Sequence, residues 1–193
     1  FHFQRPSLQP CHGEGQQLDN TLWVFGYGSL LWNTGFAFQR AEVARLPGWH
    51  RSFCMASVHY RGTIEAPGLV LALDRADAAH CDGVAYAVDP AAKDATIAYL
   101  RDRELISYAY LEDWLEVDLA SGERVRALSY VINRDHSQYH GGLSLEAQAQ
   151  IIAKSHGERG PNCDYLYATT DHLAKLGIAD SDLAWLSARV REL

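Results

Sequence analysis

Segments typical of β-strands fill the first two-thirds of this chain, and most of the helical segments follow them. Short apolar runs bounded by glycine or charged turns predict strands at 22–25, 52–60, 68–73, 81–88, 114–119 and 124–132. Strands that come first and helices that come later, instead of alternating, are typical of the α+β class. We therefore predict a barrel-like sheet with helices packed around it.

The helical segments carry clear start signals. Asp89 offers an N-cap, Pro90 fits the first helical position, and residues 91–107 are good helix formers without another proline or glycine. Further helices are predicted at 144–154 and 180–190, with a short helical piece at 171–176 between them.

The chain length favours one folded unit. A chain of 193 residues can bury a single sizeable core, and no linker or internal repeat divides it. We expect one domain over residues 21–193. Residues 1–20 are mostly polar, begin with Phe1 and lack the order of a secretory signal, so we expect a disordered tail or a remnant of expression.

Charge and hydropathy exclude two classes of partner. The chain has 17 Lys+Arg against 24 Asp+Glu, a formal charge of −7, and no basic cluster that would suit a phosphate backbone. Its longest apolar runs, such as 69–73, are far shorter than the roughly 20 residues that cross a bilayer. We therefore expect neither nucleic acid nor a membrane as a partner.

The cysteines and histidines do not form a pattern typical of a metal site. The four cysteines are scattered without a CxxC pair, which favours a reduced, cytoplasmic setting. His136 and His140 are four residues apart, but Ser137 stands where a zinc-protease helix carries its glutamate. We predict no metal and no other cofactor.

One carboxylate interrupts an apolar helix face. Ile97, Leu100 and Glu104 lie at i, i+3 and i+7 and so share one side of the predicted helix, while Arg101 and Arg103 are expected to face solvent. Burial raises the pKa of a carboxyl group, and a raised pKa suits a general base. The alternative is that Glu104 pairs with an arginine in a structural network, and the pattern alone leaves both open.

A glycine-containing loop follows the first predicted strand. In Gly26-Tyr27-Gly28-Ser29-Leu30, glycines permit a sharp turn and close approach to a ligand, and successive N–H groups with the Ser29 hydroxyl suit an anion such as a carboxylate. The same residues are also compatible with a simple connection. They do not form a dinucleotide-binding motif, because Leu31 stands where the third glycine would be.

Four motifs in order resemble the ChaC branch of the γ-glutamylcyclotransferases, from about residue 23 to residue 190. FGYGSLLW at 25–32 resembles the family's YGSL substrate loop, and HYRGTIEAPGLVLAL at 59–73 its RGT…PG segment. YLRDRE at 99–104 resembles the helix that ends in the catalytic glutamate, and GERGPNCDYL at 157–166 the final G-x-x-G-x-N-x-x-Y-L signature. Each motif is weak alone, but four in this order are specific.

The resemblance implies a fold, a reaction and a set of site residues. The implied fold is a small mixed β-barrel flanked by helices, with residues 21–193 as a single catalytic domain. The implied reaction converts glutathione to 5-oxoproline and Cys-Gly without a cofactor, with Glu104 as the base. Tyr27, Gly28, Ser29 and Leu30 would hold the γ-glutamyl group, Asn162 and Tyr165 would stand near the site, and Ser57 and Arg61 would lie at its rim. Residues 105–108, Leu-Ile-Ser-Tyr, depart from the family's glycine-containing turns, which affects the expected specificity on the acceptor side.

Three other functions stay open at this point. The chain could act on other γ-glutamyl amines or γ-glutamyl amino acids, because the loop that holds the glutamyl group would look the same. It could instead be a non-catalytic module that binds a carboxylate-bearing metabolite, although an acid facing an anionic ligand would oppose that binding. A purely structural protein would have no pocket around Glu104.

Overall fold

The computed structural model describes residues 20–193, which form a closed five-stranded barrel with helices around it. The barrel strands are β1 (Leu22–Gly26), β2 (Arg40–Ser57), β3 (Gly68–Val88), β4 (Tyr110–Leu119) and β5 (Arg124–Ile132). They follow the order β1-β3-β2-β4-β5, and β5 closes the barrel by pairing in parallel with β1. The α+β class and the mixed barrel are therefore confirmed. The predicted tail at 1–20 lies outside the described residues, except for its last residue.

Two of the strands are much longer than predicted. The runs predicted at 68–73 and 81–88 belong to the single 21-residue strand β3, and β2 begins at Arg40 instead of at residue 52. The stretch 74–80 that joins the two runs is rich in alanine and charged residues and has low intrinsic strand propensity. Its ends pair antiparallel with β2, through Asp74, Arg75 and His80, across an irregularity in register, so contacts distant in sequence overrule the local preference.

Four helices pack on the barrel: α1 (Lys93–Glu104), α2 (Leu145–Lys154), α3 (Asn162–Lys175) and α4 (Ser181–Glu192). The Asp89 cap is confirmed, since its carboxylate accepts a bond from the Ala91 N–H at 2.8 Å, although a short 3₁₀ turn at Pro90–Ala92 precedes α1. A two-stranded sheet, β6 (His156–Gly157) and β7 (Gly160–Pro161), lies just before α3.

Two helix predictions were wrong in their bounds. The first helix ends at Glu104 instead of continuing to residue 107, and Tyr108 adopts a left-handed backbone with φ of 57°. The short helix predicted at 171–176 is the last part of α3, which begins nine residues earlier, at Asn162. The start of α3 was not predicted because Gly160 and Pro161 are residues typical of loops. In the structure Pro161 is the N-cap residue of α3.

The core has two main clusters of buried side chains. α2, α3 and α4 contribute leucine, isoleucine and valine side chains to a large cluster with Phe53 and Leu71 of the barrel. α1 contributes Leu100 to a second cluster with Leu22 and Leu128. α1 and α3 are thus fixed on the barrel by separate apolar contacts, and each carries a residue to the end of β1.

Candidate active site

A small pocket opens where β1 ends. It receives side chains from α1 and α3 as well as from barrel strands and from the loop after β1. The residues that line it are Phe25, Tyr27, Gly28, Ser29, Leu30, Leu71, Glu104, Tyr110, Tyr130 and Tyr165. The structure therefore brings together six of the nine predicted site residues.

Glu104 is the carboxylate of this pocket. It is the last residue of α1, one turn beyond the fully buried Leu100, as the predicted helix face requires. Its side chain is only 17% exposed. Burial raises the pKa of Glu104, and the nearby Arg103 guanidinium acts in the opposite direction. A carboxyl group in such surroundings is suited to exchange protons with a bound ligand.

Arg103 contacts two residues that line the pocket, Glu104 and Ser29, instead of facing solvent as predicted. Its Nε lies 3.2 Å from Glu104 Oε1, and its Nη2 donates to Ser29 Oγ at 2.9 Å. Its Nη1 donates to the carbonyl of Asn33 at 2.6 Å. The arginine pairing that the sequence left open does exist, and the same arginine joins the carboxylate to the loop after β1.

A buried arginine holds the loop after β1. Arg51 of β2 is 3% exposed, and its Nε donates to the carbonyl of Tyr27 at 2.8 Å. Its Nη1 pairs at 3.0 Å with Asp180, whose carboxylate also caps α4. This buried pair therefore fixes both the loop and the start of the last helix.

The loop backbone turns sharply and leaves N–H groups available. A Cβ on Gly26 would lie 3.0 Å from Leu30 Cβ and 3.1 Å from the Tyr86 ring, so a larger residue there would crowd both neighbours. A 3₁₀ turn follows at Ser29–Leu31. The backbone amides of residues 28–30 donate to no carbonyl in the loops, turns and caps of residues 20–193. These amides can therefore bind an anionic group of a ligand.

Three predicted site residues do not line the pocket. Asn162 is fully buried and pairs with both backbone groups of Leu69, at 2.8 Å and 2.7 Å. The Ser57 hydroxyl accepts the Arg61 N–H at 3.0 Å, and the Arg61 guanidinium donates to the carbonyls of residues 159 and 161 and lies 5.9 Å from the Tyr165 ring. They surround α3 where Tyr165 enters the site, and their roles stay predictions.

Sequence reasoning missed four other lining residues and Arg103. Phe25 and Leu71 look like ordinary strand residues, and Tyr110 and Tyr130 come from two paired strands with no motif around them. A signal was present for Phe25, Leu71 and Arg103, because each lies within one of the four motifs, at 25–32, 59–73 and 99–104.

The family comparison decides the relationship. The sequence model of the ChaC-like protein family matches residues 22–193. The chain belongs to the ChaC-like family. The resemblance inferred from the four motifs is therefore confirmed, and it extends over nearly all of the described residues.

Relatives of this ChaC-like chain occur in bacteria, animals and plants. It is 34% identical over 175 residues to the glutathione-specific γ-glutamylcyclotransferase of Escherichia coli K12, covering 91% of this chain and 75% of that protein. It is 32% identical to human glutathione-specific γ-glutamylcyclotransferase 1, with 89% and 78% covered. It is 33% identical to γ-glutamylcyclotransferase 2-3 of Arabidopsis thaliana, with 89% of each covered.

A solved structure agrees with the barrel. The yeast γ-glutamylcyclotransferase specific to glutathione superposes with a TM-score of 0.79 at 25% identity, covering 89% of this chain and 98% of that one. The ChaC-like fold of this chain is thus shared with an enzyme of known structure.

Within residues 20–193, no three His, Cys, Asp or Glu side chains are arranged to hold a metal ion. None of the helices described for this stretch has the length and hydropathy to cross a bilayer.

Proposed function

We propose that this chain is a γ-glutamylcyclotransferase that converts glutathione to 5-oxoproline and Cys-Gly. The observation that carries the proposal is a buried carboxyl group, Glu104, in the same pocket as a glycine-containing loop with available amides. The names of the bacterial and human relatives support glutathione as the substrate. Residues 21–193 would form the single catalytic domain.

Glu104 serves as general base and then as general acid. The α-amine of the glutamyl group titrates near about 8 and must lose a proton before it attacks, and a carboxylate with a raised pKa is well matched to accept it. The amine nitrogen then bonds to the γ-carbon and closes a five-membered ring. Protonated Glu104 returns that proton to the nitrogen of the cysteine residue as the old amide bond breaks. The ring nitrogen gives up its second proton to solvent, and the released amine of Cys-Gly takes one up.

The loop after β1 holds the substrate. Amides of residues 28–30 and the Ser29 hydroxyl bind the α-carboxylate, while Tyr27 and Leu30 shape the pocket around the glutamyl chain. Binding in this manner places the amine close to the γ-carbon, so that ring closure has less entropy to lose. Arg103 supports the arrangement because it contacts both Ser29 and Glu104.

The residues around the start of α3 hold Tyr165 in the pocket. Asn162 ties the start of α3 to β3, and Tyr165 follows three residues later in the pocket. Ser57 and Arg61 brace the segment before α3 from the rim. We also propose a cytoplasmic location, which is supported by the free thiols of Cys54, Cys81 and Cys163.

The test follows both products from reduced glutathione. Wild-type protein should form 5-oxoproline and Cys-Gly in equal amounts, and Glu104→Gln should lower kcat by about 10²–10⁴-fold, the usual contribution of a general base. Glu146→Gln is the matched control, because this exposed glutamate pairs with Arg189 away from the pocket. Full activity in Glu104→Gln would refute the role of the base.

A second substrate separates the remaining possibilities. γ-Glutamylalanine offers the same glutamyl group with a different leaving amine. Faster turnover of γ-glutamylalanine than of glutathione would move the assignment to another γ-glutamyl substrate. Binding of both compounds without any product would indicate a binding module.

A further inference from the structure

Four tyrosine side chains meet at the pocket, and three of them donate their hydroxyl proton to an acceptor within the protein. Tyr27 donates to the carbonyl of Tyr130 at 2.8 Å. Tyr110 donates to the carbonyl of Leu71 at 2.8 Å, and Tyr130 donates to Glu112 Oε2 at 3.2 Å. A phenol has a single proton to donate, so these three hydroxyls have none left for a ligand.

Tyr165 differs from the other three. Its hydroxyl oxygen accepts the N–H of Leu71 at 3.3 Å. No acceptor among residues 20–193 takes the proton of this hydroxyl in the described hydrogen bonds, so the proton is available to the pocket. Burial raises the pKa of Tyr165 well above the neutral range, which keeps the proton on the oxygen.

The position of Tyr165 is well fixed. Its ring makes edge contacts with Trp32 and Phe53, with ring centres 5.7 Å and 5.9 Å away. Its hydroxyl faces the loop after β1, because a Cβ built on Gly28 would lie 3.3 Å from that oxygen. A hydrogen-bond donor held rigidly beside a substrate loop has the properties of an oxyanion-hole donor.

We propose that the Tyr165 hydroxyl donates a hydrogen bond to the γ-carbonyl oxygen of the glutamyl group and stabilises the oxyanion that forms there. The inference rests on the proposed cyclotransferase reaction. When the α-amine bonds to the γ-carbon, the carbonyl π electrons move to oxygen, and Tyr165 stabilises that negative charge. The electrons return as the bond to the cysteine nitrogen breaks, and that nitrogen leaves with the proton from Glu104.

The hydroxyl could instead act through Glu104, and the two roles predict different results. Glu104 is faced by Arg103 of α1, Tyr27 of the loop, Tyr110 of β4, Tyr130 of β5 and Tyr165 of α3. A bond from Tyr165 to the carboxylate would lower the pKa of Glu104, so its loss would move the acid limb of the pH–rate profile to higher pH. A bond to the oxyanion leaves that limb in place.

The first experiment compares Tyr165→Phe with Tyr139→Phe. Removal of one oxyanion donor typically costs about 10²–10³-fold in kcat. We expect that loss in Tyr165→Phe, with KM changed by less than about threefold and with the acid limb unmoved. Tyr139→Phe is matched in chemistry, because its hydroxyl donates to Asp74 at 2.7 Å away from the pocket, and it should keep wild-type kcat. Equal kcat in all three proteins, or a shifted acid limb in Tyr165→Phe, overturns the proposal.

A second experiment needs no loss of the hydroxyl. Fluorinated tyrosine incorporated at position 165 has a more acidic phenol and is a stronger donor, so kcat should change with phenol acidity while the melting temperature stays that of the wild type. Constant kcat across the fluorinated series overturns the proposal even if Tyr165→Phe fails to fold. A wild-type protein that forms no 5-oxoproline from any γ-glutamyl substrate refutes the proposed function itself, a result distinct from a silent substitution at Tyr165.

Discussion

Replacing Asn162 by alanine should destabilise the fold more than any surface change. The Asn162 side chain is fully buried at the start of α3 and satisfies two backbone groups of β3 at once. Its Oδ1 accepts the N–H of Leu69, and its Nδ2 donates to the carbonyl of Leu69. Leu69 is itself 2% exposed, so water cannot easily take over either bond.

The expected size follows from those two bonds. A buried backbone group left without a partner costs about 1–3 kcal/mol, and Asn162→Ala leaves two of them, for a total of about 2–6 kcal/mol. For a chain of this size each 1 kcal/mol lowers the melting temperature by about 2–4 °C. A loss of about 4 kcal/mol therefore lowers Tm by roughly 8–16 °C.

The measurement is thermal and urea unfolding beside a matched control. Asn133 also binds two backbone groups with its amide, the Tyr108 carbonyl at 3.3 Å and the Asp135 N–H at 3.1 Å, but near the surface. Asn133→Ala should cost less than about 1 kcal/mol, because water replaces the lost bonds.

An unchanged stability would refute this reasoning. If Asn162→Ala melted like the wild type while its kcat collapsed, the amide would be acting on substrate instead of on β3. If Asn133→Ala lost as much stability as Asn162→Ala, burial would not be the source of the effect.

Three further predictions concern charged groups at or below the site. Arg103→Gln removes the cation that opposes the raised pKa of Glu104, so the acid limb of the kcat/KM profile should move to higher pH, whereas Arg101→Gln on the same helix should not move it. Glu104→Gln should raise Tm at neutral pH, because burial raises the pKa of Glu104 in the folded protein and its ionisation therefore costs stability. This cost appears as pH rises above the ordinary glutamate pKa, so the gain in Tm should vanish below about pH 4. An equal Tm difference at both pH values would contradict it. Arg51→Met leaves the Asp180 carboxylate without its buried partner and should cost about 3–5 kcal/mol by urea unfolding, while adding Asp180→Asn should restore part of the loss; no recovery would argue against the pair.

The sequence alone determined the features that depend on neighbouring residues. The bounds of β5 follow from a short run of strand formers, and the Asp89 cap follows from a side chain bonding two residues along. The face shared by Leu100 and Glu104 follows from helical periodicity, and the order of four motifs sufficed to identify the family. The strand, cap and helix-face signals each lie within a few residues of the feature that they predict, whereas the motif order extends from residue 25 to residue 166.

The tertiary structure alone decided which side chains meet. β3 continues through 74–80 because β2 pairs with it, although its local sequence disfavours a strand. Arg103 turns inward because Ser29, 74 positions earlier in the chain, accepts its hydrogen bond. The Tyr165 hydroxyl is held in place by the N–H of Leu71 in β3. These contacts join residues far apart in the chain, and closure of the barrel is what brings them within hydrogen-bonding distance.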